Sequence, residues 1–293
     1  MSDRGMVKAP RALIATACVL AAAIALALSS SGCGSASATL DPVAQAAEAT
    51  SRAGGAQVSI AGSMTSATLG GALTLGGGGE VNFKSDEADL VVRMSGLATD
   101  AAAGLGGGML HLSELLKGGS MYVSSPLFDG RLPGGARWLK VDTAQVGQAE
   151  GLDPSSLSIV GGDPGQYLAD LKAAGNVSVV GHDSIRGVAT THYAGTIDLL
   201  DAAETQPAAD RAAARAALQK LIAESGVRNV PVEVWIDDAR LVRRLSLDIS
   251  GQGIRIAIGV EYFGFGSTPA VTAPSGSDVF DVTPRVLQQV TAG

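Results

Sequence analysis

The stretch "VPVEVWIDDARLVRRLSLDIS", residues 230–250, decides the fold. Val232, Val234 and Ile236 alternate with Glu233, Trp235 and Asp237. Past the turn at Asp237–Arg240, Leu245, Leu247 and Ile249 alternate with Arg244, Ser246 and Asp248. A period of two sends apolar side chains to one face of a strand and polar ones to the other. Two such strands joined by a short turn form an antiparallel hairpin with one greasy and one wet face.

The same pattern continues on both sides. Downstream, "GIRIAIGVEYFGFG" (253–266) places Ile254, Ile256, Ile258 and Val260 on one face. Upstream, "NVSVVGHDSIRGVATTHYAGTIDL" (176–199) reads as a hairpin with its turn at Gly181–Gly187. "AQVSIAGSMT" (56–65), "GALTLGGGGEVNF" (71–83) and "EADLVVRMSG" (87–96) read as strands around glycine turns, and the glycine-rich runs as turns or loose loops. "SMYVSSPL" (120–127) and "ARWLKVDT" (136–143) add two more, split by a Pro/Gly loop.

Three helical pieces accompany the strands. Asp41-Pro42 opens the first, with Asp as N-cap and Pro at the first helical position, and Gly54-Gly55 stops it. The second spans 163–175, with Tyr167, Leu168 and Leu171 on one face. The third spans 206–226 and carries a short stripe, Leu218, Leu221 and Ile222. The fold class expected is α+β: a curved antiparallel sheet, with helices covering its concave face because nothing else can bury the greasy side. Val232, Val234, Ile236, Leu245, Leu247, Ile249, Leu218, Leu221 and Ile222 are the candidate lining of that face.

The N-terminus carries a different signal. Arg4, Lys8 and Arg11 precede an uncharged run over 12–28, and small residues follow it. That order describes an export signal, although a permanent membrane helix has a similar outline. The run ends at Ser30-Ser31-Gly32-Cys33, which resembles a bacterial lipoprotein signal with Ser30 where leucine is usual. The resemblance implies cleavage between Gly32 and Cys33 and acylation of Cys33. Two acyl chains supply the two membrane signals that stable anchoring requires. Cys18 would leave with the signal, so no internal disulfide would remain. The expected organisation is a signal peptide over 1–32, an acylated cysteine and tether over 33–41, and one domain over 42–288.

Composition excludes several functions. The formal net charge is −7, and removing Asp3, Arg4, Lys8 and Arg11 makes the remainder more acidic. Such a chain does not seek nucleic acid by charge. The glycine runs lack a following Gly-Lys-Ser/Thr, and neither Gly-x-Ser-x-Gly nor His-Glu-x-x-His occurs. His182, Asp183 and Ser184 spell triad letters, but three neighbours in a turn cannot form a relay. His111, His182 and His192 are too scattered for a metal site. Catalytic residues, metals and cofactors are therefore not expected. Trp138 and Trp235 suit either a pocket or a core.

The segments around "MYVSSP", "WLKVD", "GHDSIRGVATTHYAGTIDL", "VPVEVWIDDARLVRRLSLDI" and "VEYFGFGSTPAVTAPSGSDVFDVT" resemble, in order and spacing, the actinobacterial LppX/LprG-like envelope lipoproteins, similar in fold to LolA-like carriers. The resemblance covers roughly 56–283. It implies a half-open barrel with helices over its mouth and a cavity that holds lipid in some members. The turn Asp237-Asp238-Ala239-Arg240 departs from the family, which has glycine there. Two functions follow as expectations. One is a membrane-anchored extracytoplasmic carrier of a lipid or other hydrophobic ligand. The other is a non-catalytic envelope scaffold or regulator, with a collapsed cavity and a protein partner.

Overall fold

The computed structural model describes residues 42–66, 71–96, 109–150, 177–204 and 211–291. The signal segment, Gly32, Cys33, the tether, the helix expected over 163–175 and the glycine-rich 104–108 lie outside the described residues.

Among the described residues twelve strands form one sheet: β1 (Ala56–Ser66), β2 (Gly71–Asn82), β3 (Glu87–Ser95), β4 (Met109–Lys117), β5 (Ser120–Ser124), β6 (Trp138–Asp142), β7 (Ser178–Ile185), β8 (Val188–Asp198), β9 (Asn229–Asp237), β10 (Val242–Gly251), β11 (Ile254–Phe263) and β12 (Val279–Asp281). Their order is β12-β6-β5-β4-β3-β2-β1-β11-β10-β9-β8-β7, so the sheet is open, with β12 at one edge and β7 at the other. All neighbours run antiparallel except β12 and β6. Among the described residues five α-helices accompany it: α1 (Pro42–Arg52), α2 (Thr143–Glu150), α3 (Leu199–Glu204), α4 (Arg211–Ser225) and α5 (Thr283–Thr291).

The hairpin of residues 230–250 pairs Leu245 with Val234 and Leu247 with Val232. Its turn holds Arg240 in the left-handed region (φ 64°), which favours glycine. A bulge at Arg243 adds one residue, so Val242 pairs with Ile236 and Arg244 with Trp235. Val242 thereby joins Leu245 on the buried side. The Val242 amide donates to Thr50 Oγ1 of α1 at 3.0 Å, and both residues are buried. This bond fixes α1 against β10 and satisfies a donor that would be costly to orphan.

One face of β1, β3 and β8–β11 contributes to a single apolar cluster. Val58, Ile60, Leu90, Val232, Val234, Leu247, Ile249 and Val260 belong to it. So do Val43 and Ala46 of α1, Leu199 and Ala203 of α3, and Ala214 and Leu218 of α4. Gly226 ends α4 in the left-handed region (φ 70°), and Gln252 N donates to Ser225 O at 2.7 Å, tying that end to the β10–β11 turn.

Two expectations are corrected. The glycine run is no turn: Gly76–Gly79 lie inside β2, paired with β1 on one side and β3 on the other. A Cβ at Gly77 would overlap the Val91 carbonyl oxygen and crowd Val92 Cα at 3.1 Å. The strands pass too closely for a side chain. The β7–β8 turn is also tighter than expected. Strand β7 runs to Ile185, and Arg186 and Gly187, both at positive φ, make a two-residue turn. His182, Asp183 and Ser184 therefore sit in a strand.

The glycine run supplies a controlled test. At Gly76 a Cβ would meet nothing within 4 Å. Gly77→Ala should lower stability by about 2–4 kcal/mol through backbone displacement. Gly76→Ala should raise it by up to ~1 kcal/mol through the unfolded chain. Urea denaturation of both variants reads the contrast.

Candidate functional site

Burial along the inner face of the sheet is uneven. The six strand residues expected to line it, Val232, Val234, Ile236, Leu245, Leu247 and Ile249, are all buried, and Leu218 has no exposed surface. Leu221 and Ile222 are half-buried and pack against the same cluster. The structure thus brings the nine residues together as core and its margin.

The open part lies elsewhere, on β4, β5 and β6. Strand β4 pairs Leu116 with Ala88, Glu114 with Leu90 and Leu112 with Val92, so these residues share the core-facing side of β3. Across β5, Glu114 meets Val123 and Leu116 meets Met121. Across β6, Val123 meets Leu139 and Met121 meets Val141. Leu112, Leu116, Met121, Val123, Leu139 and Val141 are all half-buried, whereas Leu90 and Ala88 are fully buried. An apolar wall therefore emerges from the closed core and stays partly accessible.

Glu114 stands in the middle of that wall. Burial among its apolar neighbours pushes its pKa up to about 7, from 4.5. Desolvation disfavours the charged form, and no neighbouring cation offsets it among the described residues. The inner faces of β3 and β5 beside it, Ala88, Leu90, Val92, Met121 and Val123, carry no charge.

Glu114 was not foreseen from the sequence, and β4 was not among the strands expected. The signal was present: Leu110, Leu112, Glu114 and Leu116 recur every second residue, with an acid at one apolar position.

The outer face holds a second cluster. Trp235 Nε1 donates to Asp183 Oδ2 at 2.8 Å, bridging β9 to β7 across β8. His192 of β8 stacks on the Trp235 ring with centroids 4.1 Å apart, and Arg244 lies 5.0 Å above that ring. His192 Nδ1 is 3.4 Å from Asp183 Oδ2, while its buried Nε2 lacks a hydrogen-bond partner. Trp235 is buried on the side opposite the core, so its role is to hold edge strand β7. Trp138 lies in β6 and is half-buried. Among the described residues, no group of three or more His, Cys, Asp or Glu could hold a metal ion.

No protein-family model matches the chain. It is 28% identical over 158 residues to a 31.2 kDa protein of the rplA–rplJ intergenic region of Streptomyces griseus. That match covers 53% of this chain and 51% of the relative, so it spans about half the relative's length. Among solved structures, the chain is similar to LprF from Mycobacterium bovis, with 18% identity and a TM-score of 0.39, over 80% of this chain and 99% of that one. It is also similar to the Mycobacterium tuberculosis lipoprotein LppX, with 16% identity and a TM-score of 0.43, over 79% and 100%.

Two outcomes follow from the geometry. The folded pKa of Glu114 lies above its unfolded value, so the folded state holds the extra proton between about pH 4.5 and 7. Stability should therefore fall as pH rises through that window. Glu114→Gln should remove this slope and stabilise the protein at pH 8 by roughly 1–3 kcal/mol, as read by melting curves from pH 4.5 to 8. On the outer face, Asp183→Ala leaves the buried Trp235 N–H unpaired and should cost about 1–3 kcal/mol. Hydrogen exchange of β7 should rise with it.

Proposed function

We propose that the chain is a membrane-anchored extracytoplasmic lipoprotein that binds or carries a lipid or other hydrophobic ligand. Cys33 is its acylation point, and Gly32–Cys33 is where the signal is cut. The observation that carries the reading is the half-buried apolar wall of β4–β6, continuous with the closed core at Leu90 and Ala88. Apolar surface left partly in water gains about 25 cal/mol for each Å² that a ligand covers. An acyl chain meets this need without directional contacts, and a carboxyl at one point of the wall can orient its head. The helices packed into the core cluster, α1, α3 and α4, support a half-open barrel whose concave side they cover. The protein acts without catalysis, by holding its ligand near the outer surface of the cytoplasmic membrane.

A scaffold or regulatory lipoprotein is the second reading. The tight burial of Val232, Val234, Leu245 and Leu247 favours it, because that part of the inner face is filled by the protein itself. Edge strand β7 also exposes Val179 and Val180, which a partner in the envelope could cover.

Native mass spectrometry of the full chain, purified in detergent from a bacterial envelope, separates the two. A carrier retains a co-purified hydrophobic ligand that is lost on denaturation. A protein free of ligand, which also fails to take a fluorescent lipid from vesicles of several lipid classes, is a scaffold. Labelling of cells with an alkyne fatty acid tests the anchor. Cys33→Ala should abolish the label and leave an uncleaved precursor, whereas equal labelling of both proteins would remove Cys33 from that role.

A further inference from the structure

We propose that Glu114 selects the ligand's head group, making the β4–β6 wall a site for an amphiphile that carries a cationic amine. The inference rests on the carrier reading and narrows its substrate class. Its basis is one side-chain arrangement. Glu114 is flanked by Leu112 and Leu116 on its own strand, Leu90 on β3, and Val123 on β5. The inner-facing partners on β6, Leu139 and Val141, are also apolar. Among the described residues this leaves a carboxyl in a greasy wall with no cation, and Arg93 and Lys117 alternate to the outer face.

The chemistry of three head groups then differs. An anionic head would face a carboxylate with no cation between them, which adds repulsion to desolvation. An uncharged head would leave the ionised carboxyl as costly as before. An ammonium head supplies the missing opposite charge, and in partly desolvated surroundings that attraction is stronger than in water. The raised pKa of Glu114 agrees with this, since the ionised form lacks a partner. Binding of an amine should then draw the carboxyl into its ionised form and strengthen as pH rises past about 7. The acidic balance of the whole chain acts in the same direction.

The test uses the full chain in dioleoylphosphatidylcholine vesicles, with three photoactivatable dodecyl probes ending in an amine, an alcohol or a carboxylate. Mass spectrometry then measures label on peptides from residues 109–142. Vesicle partitioning of each probe is common to wild type and variant, so the comparison isolates the side chain. At pH 8 the amine should label the wild type about tenfold more than Glu114→Gln, the equivalent of one weakly screened ion pair. The alcohol should label both alike, which also shows that the variant keeps its fold. At pH 5.5, with Glu114 protonated, the amine's preference should largely vanish. Equal amine labelling of the two proteins, with the alcohol still bound, would overturn the head-group assignment and leave the carrier reading intact. Stronger labelling by the carboxylate than by the amine would overturn it too. Absence of label from every probe in 109–142 would remove both the assignment and the carrier reading.

Discussion

Apolar burial on one face of an unclosed sheet is the constraint on which the rest of this structure depends. Side chains alternate along every strand, so a slip of one residue would exchange the whole buried set for the wet one. The pairing of Leu245 with Val234 and Leu247 with Val232 shows that register kept across a hairpin. Where it must change, at Arg243, the bulge leaves the Val242 amide outside the ladder and Thr50 of α1 receives it. A helix is thus held on the sheet by a polar bond at a place where its apolar contacts, Val43 and Ala46, are small. With few aromatic residues in the chain, close backbone approach does what large side chains do elsewhere. The glycine run in β2 serves the same end, because strands flanking Gly77 come nearer than any Cβ permits.

Closure of the core is strongest around β9 and β10 and weakest around β4–β6. The two regions use the same residue types, Val and Leu, so composition does not distinguish them. What differs is the covering. Leu218, Leu199 and Ala203 belong to the buried cluster with β9 and β10, and the inner residues of β5 and β6 do not join that cluster. A carboxyl among Val232, Val234 and Leu247 would be buried outright and would need a partner. At the β4–β6 wall burial raises the pKa of Glu114 to about 7, so below that pH the carboxyl holds a proton and avoids an unpaired charge.

Strands whose apolar residues keep strict alternation were legible in the sequence. The 230–250 hairpin and β11 were read with nearly their observed bounds, because one-sided burial imposes period two directly. Strand β4 was not read, since Glu114 occupies an apolar position and Leu115 an outer one, blurring the alternation. Gly76–Gly79 were read as a turn because glycine usually punctuates. Only the neighbouring strands reveal that the run is a tolerance for crowding. The bond from Trp235 to Asp183 joins residues 52 apart in sequence, and no local pattern announces such a contact. The two tryptophans illustrate the limit: residue type suggested pocket or core, and Trp235 proves to be buried on the face that was expected to be wet.

The treatment of charge on the two faces completes the picture. On the outer face carboxylates meet cations: Glu87 with Lys117, Glu261 with Arg186 at 2.8 Å, and Asp248 with Arg255 at 2.7 Å. Each of these pairs sits near water, where an ion pair contributes little to stability and mainly keeps the surface soluble. The inner face reverses this. Its one carboxyl among β3, β4 and β5 has only apolar neighbours in register, although the same chain places arginine and lysine opposite acids elsewhere. A leucine at position 114 would extend the alternation of Leu110, Leu112 and Leu116 and remove the desolvation cost at once. A residue that local pattern and burial both oppose is the kind of inconsistency that marks a functional position. The wall's partial exposure is what makes such a residue tolerable, and the residue is what gives an otherwise featureless apolar wall a direction.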